Sequence, residues 1–186
     1  MPPIPADTQT PEQRAAIDAF KAARGADASM NGPWVPLLRS PELMQRVRAV
    51  GDYARFTSTL PPRLSEFVIL LTARYWSQQY EWDTHYPIAV QAGVTRETAL
   101  AIAERRRPSA MTEDETILYD LCSELQQTHR VSDATYGRAL ARFGEKGVID
   151  AVGIAGYYSL LGMMLNVAQS PTVTPPGVPI LEPGRK

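Results

Sequence analysis

Apolar residues recur three and four positions apart along almost the whole chain, and period-two alternation is scarce, so the sequence predicts helices rather than sheet. Thr10-Pro11-Glu12 opens the first helix, with threonine as cap and proline at the first helical position. It runs through Ala15, Ala16, Ala19 and Phe20 to about Arg24, and Gly25 ends it. Two prolines and a glycine argue against regular helix in Asn31-Gly32-Pro33-Trp34-Val35-Pro36-Leu37-Leu38, although so apolar a loop must pack on something. Ser40-Pro41 caps the next helix, which reaches about Thr57 with Leu43, Val47, Val50 and Ala54 on its expected buried face.

Leu60-Pro61-Pro62 separates that helix from a central pair, about Arg63 to Tyr75 and about Gln78 to Ala92. Pro87 should kink the second of these, and Gly93 should end it. Thr95 caps a short helix to about Arg106, and Thr112 with Glu115 forms a capping box for a helix from Glu113 to about His129. Ser132-Asp133 starts another to Phe143. The last, about Glu145 to Gln169, carries Gly147, Ala151, Gly153, Ala155, Gly156, Ser159 and Gly162, small residues that suit a tight core or a subunit interface. From Ser170 onward the tail holds five of the sixteen prolines and is expected to be an extended arm, with Val178, Ile180 and Leu181 available to clasp a neighbouring subunit. The expected architecture is an all-α single-domain bundle of about seven helices: an N-terminal helical arm over 1–30, a main domain over 31–169 and a proline-rich arm over 170–186.

The 186 residues, 44% hydrophobic and 21% charged, suffice for one domain with a substantial core. Lys and Arg number 19 against 20 Asp and Glu, and a net charge of -1 gives no electrostatic footprint for nucleic acid or an anionic membrane, so neither is an expected partner. Met1 to Thr10 has neither a basic nor an apolar leader segment, which points to the cytoplasm. Val148 to Val167 is broken by Asp150, Gly153, Gly156, Ser159, Gly162 and Asn166 and reads as a buried or interfacial helix rather than a membrane span. Cys122 is the only cysteine and shares a helical face with Leu118, Leu121 and Leu125, which fits a small buried hydrophobe.

Candidate chemistry is concentrated between residues 66 and 85. Glu66 is surrounded by Leu64, Phe67, Val68, Ile69, Leu70 and Leu71 on a helix with almost no polar face, so an ionised carboxylate there needs a companion such as His85 or Arg74. Gln78, Glu81, Trp82 and His85 lie at i, i+3, i+4 and i+7 and present an amide, a carboxylate, an indole and an imidazole on one face. Spacing alone favours the plainer arrangement, a solvated Glu81–His85 pair with Glu66 in a structural role. No His-Glu-x-x-His or Glu-x-x-His motif is present, so no metal is expected. His129, the other histidine, sits at a helix C-terminus and is read as structural.

Leu60-Pro61-Pro62-Arg63-Leu64-Ser65-Glu66, Tyr80-Glu81-Trp82-Asp83-Thr84-His85, Ala89 and Ala92-Gly93-Val94-Thr95 together resemble the carboxymuconolactone decarboxylase family, which includes the alkylhydroperoxidase D proteins. The resemblance spans about Asn31 to Gln169 and weakens after Arg106. It implies an alkylhydroperoxidase D-like helical bundle and a homo-oligomer, a dimer, trimer or hexamer. In the peroxidase branch it implies a Cys-x-x-Cys pair on the histidine-bearing helix, at positions that Gln78 and Glu81 occupy here, with Glu66 matching the relay glutamate. Without those thiols, peroxidase (peroxiredoxin) activity is disfavoured. The decarboxylase branch implies a cofactor-independent lyase moving protons on a small unsaturated carboxylic acid or lactone. His85 is then the expected acid/base, Glu66 its orienting group and Glu81 a second acid/base. Gln78, Tyr80, Trp82 and Trp34 would line the substrate pocket, and Arg63 and Arg74 are the candidates for a substrate carboxylate. A non-catalytic, oligomeric small-molecule-binding protein is the alternative from another class.

Overall fold

A computed structural model describes residues 1–182; the end of the proline-rich tail, 183–186, lies outside the described residues. Among the described residues there are eight α-helices and no strand. They are α1 (Pro11–Arg24), α2 (Trp34–Leu37), α3 (Pro41–Phe56), α4 (Pro62–Tyr75), α5 (Gln79–Gln91), α6 (Arg96–Ala103), α7 (Glu113–Thr128) and α8 (Asp133–Ala168).

The helix boundaries follow local chemistry. Thr10 and Thr112 each close a capping box, with Gln13 and Glu115 respectively, and Thr95 and Ser132 accept from the backbone N–H three residues on. Ser40 departs from expectation: its side chain makes no capping bond, and the Pro at the first position of α3 does the initiating alone. The Trp34 segment also differs, since it does form a helical turn. Its prolines are tolerated because a single turn asks little of its first N–H groups, so Pro36 sacrifices no ladder bond. Within α8, Gly144 has φ +69, which breaks the helix where the sequence separates Phe143 from Glu145.

Helix α4 is the hub. Its residues Leu64 to Arg74 are all buried, and it packs against α3, α5, α6, α7 and α8. Helix α1 contributes Ala16 and Phe20 to the same core. The buried face of α3 is rotated from the one expected: Val47 and Ala54 are inside with Met44 and Gly51, whereas Leu43 and Val50 are exposed. Gly51 explains the rotation, because a Cβ there would lie 2.2 Å from the Tyr157 hydroxyl, so only glycine lets α8 come this close.

By length and apolarity α8 could cross a membrane, yet more than half of its most apolar stretch is buried inside the protein. Asp150 at its centre accepts from the Thr59 N–H at 2.8 Å, Thr59 Oγ1 at 2.7 Å and the Tyr53 hydroxyl at 2.9 Å. The tail returns along α5 of its own chain. Thr172 and Thr174 donate to Asp83 Oδ2 at 2.8 and 3.0 Å, and the Leu181 N–H donates to Gln79 Oε1 at 2.7 Å. Leu181 is thereby buried in its own chain's core, while Ile180 stays exposed.

Candidate active site

The α4–α5 pairing sets the site. Nineteen residues separate Glu66 from His85, and the turn Trp76–Gln78 folds the two helices side by side so that the carboxylate meets the imidazole. Ser77 in this turn takes φ +48, and Gln78 then caps α5 by accepting from the Tyr80 N–H at 2.6 Å. Gln78 also donates from Nε2 to Asn166 on α8 at 2.9 Å, which fixes the start of α5 against α8.

Glu66 Oε2 lies 2.7 Å from His85 Nδ1. On the other side of the ring, Nε2 is 3.7 Å from Glu81 Oε2, one turn back on α5. The imidazole is therefore held between two carboxyl groups, and the three side chains are between 4% and 9% exposed, so the site is closed within the single chain. An ionised Glu66 selects the tautomer with the proton on Nδ1 and leaves the Nε2 lone pair facing Glu81. Of the two companions the sequence offered to Glu66, His85 takes the part and Arg74 does not.

Glu81 is the unusual carboxyl. Burial pushes its pKa up, the nearby Glu66 charge adds to this, and His85 and Arg55 pull it back. Its Oε1 is buried without a hydrogen-bond partner among the described residues. A buried lone oxygen of this kind favours the neutral acid, which can donate a proton.

Two tyrosines of α8 complete the surroundings. The Tyr158 ring stands edge-on to the His85 ring at 4.9 Å between centroids, and Tyr157 stands edge-on to Tyr158 at 5.1 Å. Burial raises the Tyr157 pKa to about 12 and that of Tyr158 well above its ordinary value, so both remain protonated phenols. Neither they nor Arg55 was singled out from the sequence. A Tyr-Tyr pair inside an otherwise apolar, small-residue helix was the available signal, because each hydroxyl needs a polar reason to be there.

The other expected residues scatter. Trp82 is fully buried beside Tyr86, and its Nε1 has no partner among the described residues. Tyr80 is half-buried, with its ring packed under Gly32. Trp34 packs on Phe20 and carries the Arg24 guanidinium 4.6 Å from its ring centre. Arg63 turns to α7, where Nη1 meets Glu115 Oε1 at 2.6 Å. Arg74 bonds Ser77 Oγ at 3.1 Å and the Glu182 carbonyl at 3.0 Å. Both arginines expected to receive a substrate carboxylate at His85 are thus engaged elsewhere. Cys122 is buried, and its burial drives the thiol pKa to about 12, so it offers no thiolate.

The sequence model of the carboxymuconolactone decarboxylase family matches residues 41–116, a stretch that runs from α3 into the first turn of α7 and contains Glu66, Glu81 and His85. Over that stretch the chain is similar to the carboxymuconolactone decarboxylase family. The all-α arrangement of the described residues is consistent with an alkylhydroperoxidase D-like helical bundle. No curated protein matches the chain.

Proposed function

We propose that this protein is a cofactor-independent proton-transfer enzyme, a lyase resembling carboxymuconolactone decarboxylase, acting on a small unsaturated carboxylic acid or lactone. The reading is carried by one observation: His85 is bracketed by Glu66 on Nδ1 and Glu81 on the Nε2 side. Loss of CO2 from such a substrate breaks a carbon–carbon bond and leaves its electron pair in the conjugated carbonyl system, which then needs a proton on carbon. His85 Nε2 would deliver that one proton after taking it from neutral Glu81, Glu66 would stabilise the imidazolium in between, and the Glu81 carboxylate would recover its proton from solvent to close the cycle. The family segment supports this general chemistry.

The test is a screen of carboxylated lactones against the wild type and His85→Gln, following the loss of substrate absorbance. Turnover by the wild type and none by a folded variant is expected; an unchanged rate in the variant overturns the assignment. The closed packing around Glu66 and His85 favours a second reading, an oligomeric small-molecule-binding protein without turnover, and binding with no reaction across the screen would select it. We further propose that the chain acts as a homo-oligomer. Val50 and Phe56 on α3 and Ile149 and Val167 on α8 leave large apolar side chains in water, as a subunit interface would.

A further inference from the structure

At the far end of α4 from Glu66, eight residues or about 12 Å along the helix, a separate cleft of about 1030 Å³ opens between the α4–α5 turn, the end of α6 and the returning tail. Two guanidinium groups converge there on one hydroxyl. Ser77 Oγ accepts from Arg74 Nη1 at 3.1 Å and from Arg105 Nη2 at 2.8 Å. Ser77 and Arg105 both take left-handed backbone, φ +48 and +58, which costs on the order of 1 kcal/mol for a residue with a side chain. The fold thus holds two strained turns in place where the two cations meet.

The cations are short of anions. Neither Arg74 nor Arg105 has a carboxylate oxygen within 4.0 Å among the described residues, although eight other arginines do. Arg74 is 5% exposed, and among the described residues its Nε is buried with no acceptor; the Trp76 indole N–H on the same wall is in the same condition. Burial first, and the Arg105 charge second, lower the Arg74 pKa, with only Glu182 at the rim working against them. Glu104, the other acid lining the cleft, is committed to Arg106. The two cations share one neutral hydroxyl, and Arg74 adds only the Glu182 carbonyl, so an oxyanion would supply the charge they lack and an acceptor for the buried donors. Around this polar end the walls are apolar: Tyr75, Trp76, Leu100 and the exposed tail residue Ile180.

We propose that this cleft is a second binding site, for a small organic carboxylate with an apolar body. The carboxylate is held by Arg74, Arg105 and the Ser77 hydroxyl, and the body lies against Trp76 and Leu100. The site stands independently of any reaction at His85, whose partner Glu66 lies about two turns back along α4.

Calorimetric titration of the full chain with benzoate, with its neutral isostere benzamide and with inorganic phosphate tests it. Benzoate should bind and benzamide should bind at least about tenfold more weakly, as the loss of charge-assisted hydrogen bonds implies. Arg105→Gly, at an exposed position whose left-handed backbone suits glycine, should weaken benzoate at least about tenfold, whereas His85→Gln should leave it unchanged. No benzoate binding at millimolar concentration, benzoate binding indifferent to Arg105→Gly, or binding of inorganic phosphate without benzoate would each overturn the proposal.

Discussion

His85 Nδ1 and Glu66 Oε2 are 2.7 Å apart in a place where water scarcely reaches either group, so each is the other's principal polar neighbour. Such a pair tolerates loss of charge better than loss of a partner. Glu66→Gln keeps an acceptor for the Nδ1 proton and should cost about 1 kcal/mol of stability, while Glu66→Ala strands the imidazole and should cost about 3 kcal/mol or more. In an active enzyme the Gln variant should lose about a hundredfold in kcat with little change in KM, because the imidazolium loses its counter-charge only as the reaction proceeds. Urea denaturation and steady-state kinetics on the two variants check both halves.

This pair was legible in the sequence because helical period and burial are local properties: an acid in an apolar run has to find a partner, and His85 sat on the next helix. Its wider surroundings were not. Which face of α3 turns inward was misread at Leu43 and Val50, since an apolar count favours them and ignores Gly51, whose missing side chain admits Tyr157. Arg63 and Arg74 are the sequence's candidates for a substrate carboxylate, but an arginine side chain spans enough distance that tertiary neighbours decide its partner: Glu115 for one, Ser77 and the tail for the other. Tyr157 and Tyr158 lie more than seventy residues from His85 and come to it only through the packing of α8 against α4, which no local pattern encodes.

Glu81 gives a pH dependence of definite sign. Its folded pKa is raised, so between the ordinary carboxylate range and the raised value the folded protein holds a proton that the unfolded chain releases. Stability from this group therefore declines as pH rises through that window. Glu81→Gln, neutral at every pH, should remove the decline, and thermal unfolding should show the variant gaining on the wild type as pH increases. If Glu81 is the second acid/base, the same substitution should lower kcat by about tenfold to a hundredfold.

The close approach of α3 and α8 rests on Gly51 and Tyr157. A Cβ at Gly51 would meet Tyr157 Oη at 2.2 Å and Cζ at 2.5 Å, so Gly51→Ala should destabilise the protein by about 1–3 kcal/mol through overpacking. Combining it with Tyr157→Ala removes the clash. The double variant should be more stable than the sum of the single effects, a coupling read from denaturation of all four proteins.

Ile149 and Val50 stand exposed on adjacent helices, and burial against a second copy is the proposed use of that face. Ile149→Lys puts a charge where an apolar contact is expected and should convert the oligomer to monomer in sedimentation at micromolar concentration, leaving the circular dichroism spectrum unchanged. A wild type that already sediments as a monomer would remove the proposal.

Asp150 carries the acid sensitivity of the fold. Burial works to raise its pKa, but hydrogen bonds from the Thr59 N–H and hydroxyl, from Tyr53 and from Lys146 prevail and hold it at about 2, below the ordinary 3.8. The unfolded chain takes up the proton first as pH falls, so this contribution is fully present above the ordinary value and is lost as pH drops towards 2. These bonds tie α8 to α3 and to the α3–α4 loop, since Tyr53 and Lys146 share a bond of 2.9 Å and both reach the same carboxylate. Asp150→Asn keeps the shape but gives up the charge, and it should cost about 1–3 kcal/mol at neutral pH. The difference between variant and wild type should shrink on acidification below pH 4 and vanish near pH 2, which denaturation midpoints across that range would record.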